Sequence, residues 1–380
     1  MSLMFTPIDL GGITARNRLW VAPMCQYSAQ DGVPNDWHHV HLAQFAAGGA
    51  GVVIAEATAV VPEGRISPED VGLWNDAQRD AWAPIAAAIR SRGAVAGIQL
   101  AHAGRKASTW SPLVRTRGSL PAADGGWQTM APSAIAFDGL DEPVALEATE
   151  IDAPVEAFAA AAVRAAAAGF ELLEVHAAHG YLLHEFLSPL SNHRADEYGG
   201  TLQNRARLLL RVIDAVRAAA PGAVVAVRFS ATDGAEGGWD AAQTATVAGW
   251  AAARGATFLD ISSGGLVAHQ RIVPGPGYQV PFAAHVRSAV AAGASDDGAS
   301  LAGAPVAGAP ANGMSVSVGA VGEITTGPQA EGILAAGDAD VILAGREWLR
   351  DPHFALRAAV ELGEPGAAGW PPQYARAIPR

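Results

Sequence analysis

The segment His176-Ala177-Ala178-His179-Gly180-Tyr181 puts two imidazoles and a phenol within six residues. Two neutral imidazoles can donate N–H bonds to one oxygen and polarise it. A phenol beside them is a weak acid that can give a proton to a carbon. The same histidines also suit a metal, since histidine is a common zinc ligand, although zinc would need a further histidine or carboxylate nearby. Tyr181 read alone is ordinary packing with its hydroxyl on backbone. A second pair, His39 and His41, falls inside a helical pattern and reads as a solvated helix face.

Cations and glycines give the next signals. Arg228 directly follows the apolar run Val224–Val227. A cation there wants an anion or an electron-rich acceptor. Lys106 closes the stretch Gln99-Leu100-Ala101-His102-Ala103-Gly104-Arg105-Lys106 and reads as a cation at a site mouth or on a solvated surface. Gly319, Gly322 and Gly345 permit close backbone approach, and Arg346 can fork onto phosphate oxygens. They read as a phosphate site or as plain turns. Cys25 is the single cysteine, which excludes an intramolecular disulfide, a cysteine-ligated iron–sulfur cluster and a cysteine zinc site. Its thiol is a small hydrophobe by default; beside a redox centre its sulfur can tune the potential.

These residues need a frame. Short apolar runs recur at Leu19–Ala22, Val52–Ala55, Val95–Leu100, Leu172–Val175, Val224–Phe229, Phe258–Ile261, Val316–Val318 and Val341–Leu343. They lack strict alternation, as strands buried on both faces do. Helical patterns lie between them, at Asp36–Ala47, Asp76–Arg92, Ala153–Ala168, Leu202–Ala219, Ala241–Arg254, Pro281–Ala292 and Thr326–Ala336. Asp76 is expected to cap a start, and Gly93, Gly169, Gly255 and Gly337 stand at helix stops. The alternation predicts an α/β fold, a (β/α)8 TIM barrel forming one domain over 1–380. A doubly wound open sheet is the alternative, but the Gly-x-Gly-x-x-Gly turn it expects after an early strand is absent. In a barrel the residues named above gather at the strands' C-terminal ends. Segment 107–130 follows the third strand on that face and is expected to form a lid or wall. Segment 293–313 precedes the seventh strand and is expected to be a surface excursion on the opposite face.

Composition narrows the class. Half of the 380 residues are hydrophobic and 16 % are charged, enough apolar chain for a large core and unlike a disordered segment. Lys+Arg 25 against Asp+Glu 37 gives a net charge of −12 with no basic run, so no nucleic-acid partner is expected. No apolar stretch approaches a membrane span and no signal peptide is seen, so a cytoplasmic, reducing setting is expected.

The chain resembles the old yellow enzyme family, in its bacterial thermophilic-like or xenobiotic reductase branch. The resemblance rests on Ala22-Pro23-Met24-Cys25-Gln26-Tyr27, on Gln99 to Lys106, on Ala131-Pro132-Ser133-Ala134-Ile135, and on the His176–Tyr181 segment. It continues through Leu187-Ser188-Pro189-Leu190-Ser191-Asn192 to Asp196-Glu197-Tyr198-Gly199-Gly200 and Asn204-Arg205. It implies a barrel carrying non-covalent FMN, with NADPH (or NADH) as hydride donor. By resemblance Ala22, Pro23, Met24, Cys25 and Ala57 line the flavin, and Gln99 and Arg228 contact its ring system. Ser263, Gly322, Gly345 and Arg346 lie toward its phosphate. His176 and His179 bind a substrate carbonyl oxygen, Tyr181 resembles the proton donor, and Tyr27 and Lys106 belong to the substrate pocket. The implied reaction is ping-pong: the nicotinamide reduces the flavin and leaves, then an α,β-unsaturated carbonyl compound takes hydride at its β-carbon. Quinones or nitro compounds are further oxidants. The tail 370–380 resembles one that reaches a neighbouring subunit, which implies a homodimer or larger homo-oligomer with Arg376 near the partner's pocket. A dienoyl-CoA reductase would need cysteine ligands that this chain lacks, and a reductase of tRNA uridines fits poorly with its charge.

Overall fold

The computed structural model describes residues 1–293 and 316–379, so most of segment 293–313 lies outside the described residues. Eight parallel strands close into a barrel in sequence order. They are β1 (Leu19–Val21), β2 (Val52–Ala59), β3 (Val95–Ala101), β4 (Leu172–Ala177), β5 (Val224–Ser230), β6 (Phe258–Ser262), β7 (Ser317–Ala320) and β8 (Val341–Ala344). Around them run α1 (Asp36–Ala47), α2 (Asp76–Arg90), α3 (Asp152–Ala168), α4 (Leu202–Ala219), α5 (Ala241–Ala253), α6 (Val280–Ala291), α7 (Gly327–Ala336) and α8 (Phe354–Glu361). The chain is thus a (β/α)8 barrel. Among the described residues no helix is long and apolar enough to cross a membrane.

The helix limits have local causes. Asn75, not Asp76, caps α2, its side chain accepting the N–H of Gln78. Thr201, Asp240 and Thr326 do the same for α4, α5 and α7. Gly169 and Gly337 end α3 and α7 in the left-handed conformation that suits glycine. Helix α8 carries no comparable start signal and is not apparent in the sequence. Of the pair His39 and His41 only the first keeps part of its surface in solvent: His41 is buried and packs 4.8 Å from Phe45, and the neighbouring His38 is buried too, its Nε2 3.5 Å from Glu56 Oε1.

Side-chain alternation along the strands divides the core in two. In β5, Val225 and Val227 face the helices, while Val224 and Ala226 face the barrel axis. The axial cluster also takes Trp20, Val52, Ile54, Val95, Leu172, Phe258 and Leu343. The N-terminal hairpin Ile8–Asp9/Thr14–Ala15 adds Ile8 and Leu10 from below. Trp20 and Phe258 pack with ring centroids 4.6 Å apart at a 45° tilt, both rings fully buried, each contributing roughly 2–3 kcal/mol. Continuing the axial rows upward leads to Gln99, Glu174 and His176, Arg228 and Ser230, and Asp260 and Ser262. The apolar floor therefore gives way to a polar layer at the C-terminal rim. Except for β1, the strands run past the apolar runs of the sequence at their C-terminal ends, so His176 lies within β4.

Segment 107–130 sits beside the loop that follows β2. Thr109 donates to Ile66 O, Trp127 Nε1 donates to Glu63 O at 2.8 Å, and the Arg65 guanidinium lies between the Trp74 and Trp127 rings.

Candidate active site

Strand β4 and its loop carry His176, His179 and Tyr181 into one cluster. The His176 ring centroid is 5.2 Å from those of both His179 and Tyr181. The loop is held from three sides. His179 N–H donates to Ser230 Oγ at 2.9 Å, and Ser230 Oγ donates to Gly264 O. Lys106 Nζ donates to His179 O at 2.8 Å and Gly265 O at 2.9 Å. Gly180 N–H donates to His184 Nδ1 at 2.9 Å, while His184 Nε2 lies 3.0 Å from Asp233 Oδ1. The β4 and β6 loops touch so closely that a Cβ on Gly180 would fall 2.2 Å from Gly265 O. Glycine at 180, with φ of +74°, meets both demands.

Burial sets the protonation states. It is the largest reason that His176 and His179 are held well below the usual imidazole range, and Arg228 adds to it, so both rings are neutral. The Tyr181 phenol and the Cys25 thiol are pushed well above their ordinary ranges by the same desolvation and stay protonated. Burial also lowers the Lys106 ammonium to about 8. Asp233 is desolvated too, but His184, the Ser188 hydroxyl and the Trp239 N–H outweigh this and keep it low. His179 Nε2 is engaged with Ser262 Oγ at 2.8 Å, and the buried His176 Nδ1 has no partner among the described residues.

Beside this cluster opens a cleft of about 520 Å³. Ala22, Pro23, Met24, Arg228, Gly322, Gly345 and Arg346 all line it, as the sequence expectation grouped them. Ser263 stands behind it, donating to Gln279 Oε1 at 2.6 Å, and Gln279 lines the wall. Arg346 is two-thirds exposed, 3.6 Å from Glu323. Cys25 and Tyr27 follow in the β1 loop, which Glu56 fixes by accepting the Gln26 N–H at 2.7 Å. An irregular register at Glu56 turns Ala57 and Ala59 toward a small hollow shared with Tyr181 and Asp70. Gln99 lies one layer below, its Nε2 donating to Glu174 Oε1 at 2.7 Å.

Two predicted site residues lie differently. Lys106 spends its ammonium on two carbonyls and lies 5.0 Å from the centre of the Tyr181 ring. Arg376 is on the exposed turn Pro372–Ala377, outside the cleft of its own chain. A larger cleft of about 790 Å³ lies on the flank, between α1 and this tail.

Sequence reasoning missed Glu174, Asp260, Tyr278, Gln279 and the His184–Asp233 pair. The first two had a signal: each is an acid inside an apolar strand, as Arg228 is a base inside one. Among the described residues no group of three or more His, Cys, Asp or Glu is placed to hold a metal, so the two rim histidines lack the further ligand zinc would need.

The cleft suits a flavin phosphate and ring. A Cβ on Gly322 would meet Gln279 and Tyr278 at 2.9 and 3.0 Å, too close for a side chain, so this glycine lets the chain pass tightly beside the cleft; one on Gly345 would make ordinary contact with Met24 at 3.4 Å. Comparison with known proteins agrees. The sequence pattern of the NADH:flavin oxidoreductase / NADH oxidase family matches residues 3–364. An NADPH dehydrogenase of Listeria monocytogenes is 44 % identical over 382 residues, with 99 % of each chain covered. One of Bacillus subtilis is 42 % identical, with 98 % of each covered. Among solved structures, morphinone reductase aligns with a TM-score of 0.75 at 27 % identity, covering 95 % of this chain and 90 % of its own.

Proposed function

Since the chain belongs to the NADH:flavin oxidoreductase / NADH oxidase family, that of old yellow enzyme, and is a flavin-dependent NAD(P)H oxidoreductase, we propose that it reduces the activated C=C bond of α,β-unsaturated carbonyl compounds. The observation that carries this reading is the trio at the rim: two neutral imidazoles and a protonated phenol in ring contact, beside a glycine-lined cleft.

The cofactor is FMN, held without a covalent bond, and NADPH (or NADH) is the donor. When bound, FMN supplies the hydride chemistry, accepting from the nicotinamide and delivering to the alkene in a ping-pong cycle. Ala22, Pro23, Met24, Cys25 and Ala57 line it. Gln99 and Arg228 offer polar contacts to its ring system, and Ser263, Gly322, Gly345 and Arg346 lie toward its phosphate. His176 and His179 donate N–H bonds to the substrate carbonyl oxygen. A neutral imidazole donates one N–H only. His179 Nε2 lies 2.8 Å from Ser262 Oγ, which is also 3.3 Å from Gln279 Oε1; with the single Ser262 hydroxyl hydrogen turned to His179 Nε2, the Nδ1–H is the one left for the substrate. Tyr181 delivers a proton to the α-carbon. Tyr27 forms pocket wall, and Lys106 serves the substrate by fixing His179. Segment 107–130 forms an outer wall through Trp127. The chain acts as one domain and as a homodimer in the cytoplasm, the tail carrying Arg376 to the partner's pocket.

The test is anaerobic. Purified protein loaded with FMN should lose its yellow absorbance on adding NADPH and regain it on adding a cyclic enone. Bleaching by NADPH with no return on adding the enone would overturn the substrate class.

A further inference from the structure

Beneath the cleft, four inward side chains form a polar layer on adjacent strands: Gln99 of β3, Glu174 of β4, Arg228 of β5 and Asp260 of β6. The register places Gln99 beside Glu174 and Arg228 beside Asp260. All four are buried, the two acids completely. Gln99 Nε2 donates to Glu174 Oε1 at 2.7 Å, and Arg228 Nε lies 3.0 Å from Asp260 Oδ2. Glu174 Oε2 and both Asp260 oxygens accept no hydrogen bond. The ionisable groups meeting here are Glu174, Arg228 and Asp260, with neutral His176 next to Arg228 in register.

This layer has a direction. The Gln99 amide nitrogen is committed to Glu174, so its carbonyl oxygen is the end available as an acceptor. Arg228 turns its Nε edge toward Asp260, and its two terminal nitrogens have no hydrogen-bond partner among the described residues, while the residue lines the cleft. Two carboxyls that feel each other across one strand in a dry interior cannot both ionise cheaply. Burial and mutual repulsion push Glu174 up to about 8, and burial also raises Asp260, opposed by Arg228. Of the two acids it is Asp260 that lies against the guanidinium, 3.0 Å from Arg228 Nε, and Arg228 favours its charged form.

We infer that Glu174 and Asp260 are positioning residues for the flavin, Glu174 fixing which end of the Gln99 amide faces the ring system and Asp260 aiming the Arg228 guanidinium while offsetting its charge. This rests on the reading that Gln99 and Arg228 meet that ring system. An uncompensated guanidinium would favour the more negative reduced flavin over the oxidised one. Asp260 thus holds the flavin potential below the value Arg228 alone would set.

The test uses FMN-loaded protein and six variants. Asp260→Asn should raise the affinity for reduced over oxidised FMN about tenfold, a rise of about 30 mV for a two-electron couple. Glu174→Leu should weaken FMN binding about tenfold, the size of one lost hydrogen bond, and Glu174→Gln should restore most of it. Asp260→Ser stands in should Asp260→Asn not fold, and for Glu174 the wild-type Gln99 amide protons should be protected from exchange. Gln99→Ala and Arg228→Ala serve as references. If these two leave FMN affinity and potential unchanged, the parent reading fails. If they change them while Asp260→Asn leaves the potential fixed and Glu174→Leu leaves affinity fixed, the positioning roles are wrong.

Discussion

Lys106→Met removes the ammonium that joins the β4 and β6 loops and keeps most of the apolar stem. Two carbonyls, His179 O and Gly265 O, lose their donor at 2.8 and 2.9 Å. Hydrogen bonds from a charged group contribute about 1.5–3 kcal/mol each, and the methionine stem recovers part of the loss, so a net cost of about 3 kcal/mol is expected at pH 7. The damage is local. Gly180 and Gly265 are in backbone contact, and without the clamp His179 shifts relative to His176. A displacement of about 1 Å in a catalytic group costs up to about a hundredfold in rate. Urea unfolding measures the first effect, and steady-state reduction of a cyclic enone measures the second, with kcat falling at least tenfold while NADPH-driven flavin reduction changes little. A variant within about 0.5 kcal/mol of the wild type and with unchanged kcat would refute the clamp.

Stability should fall as pH rises from about 6.5 to 8. Buried Glu56 and Glu185 keep their protons to about 8 and Asp70 to about 7, while an unfolded chain releases them in the ordinary carboxyl range, so the folded state binds more protons across this window. His38, His41 and His102, held at about 4 by burial, oppose this only below the ordinary imidazole range, about 6.5. A urea midpoint at pH 8 equal to or above that at pH 6.5 would contradict the assignment. Arg346→Ala should weaken FMN retention about tenfold or more while turnover with FMN in excess stays near normal; unchanged FMN affinity would remove Arg346 from the phosphate site. Arg376→Ala should raise KM for the enone and leave the first half-reaction intact, and a monomer of full activity in ultracentrifugation would defeat the shared site.

The barrel was legible because strands buried on both faces read as apolar runs and helices ended at glycines. Strand ends were not, since polar residues break the apolar pattern there: Glu56 at the register irregularity of β2, and the inward His176 of β4 and Ser262 of β6. The cleft was legible from glycines beside Arg346 and from the charge of Arg228 after valines. Glu174 and Asp260 escaped because one polar residue in a strand has no partner in the sequence; the partner comes from the next strand through register. His41 escaped for a different reason: the rings of Trp37 and Phe45, four residues to either side on its own helix, pack against the imidazole and override its polar appearance. The clamp of Lys106 on two carbonyls has no sequence signal, since backbone acceptors carry no side-chain identity.

The central claim is that Tyr181 donates the proton that completes alkene reduction. Rapid mixing under nitrogen separates the two half-reactions in the wild type and in Tyr181→Phe. Flavin reduction by NADPH should be nearly unchanged, and reoxidation by a cyclic enone should slow by about 10²-fold or more, the size of a general-acid effect, while reoxidation by a quinone is spared. Equal slowing of both halves would make Tyr181 a structural residue, and no slowing of either would mean that another group delivers the proton.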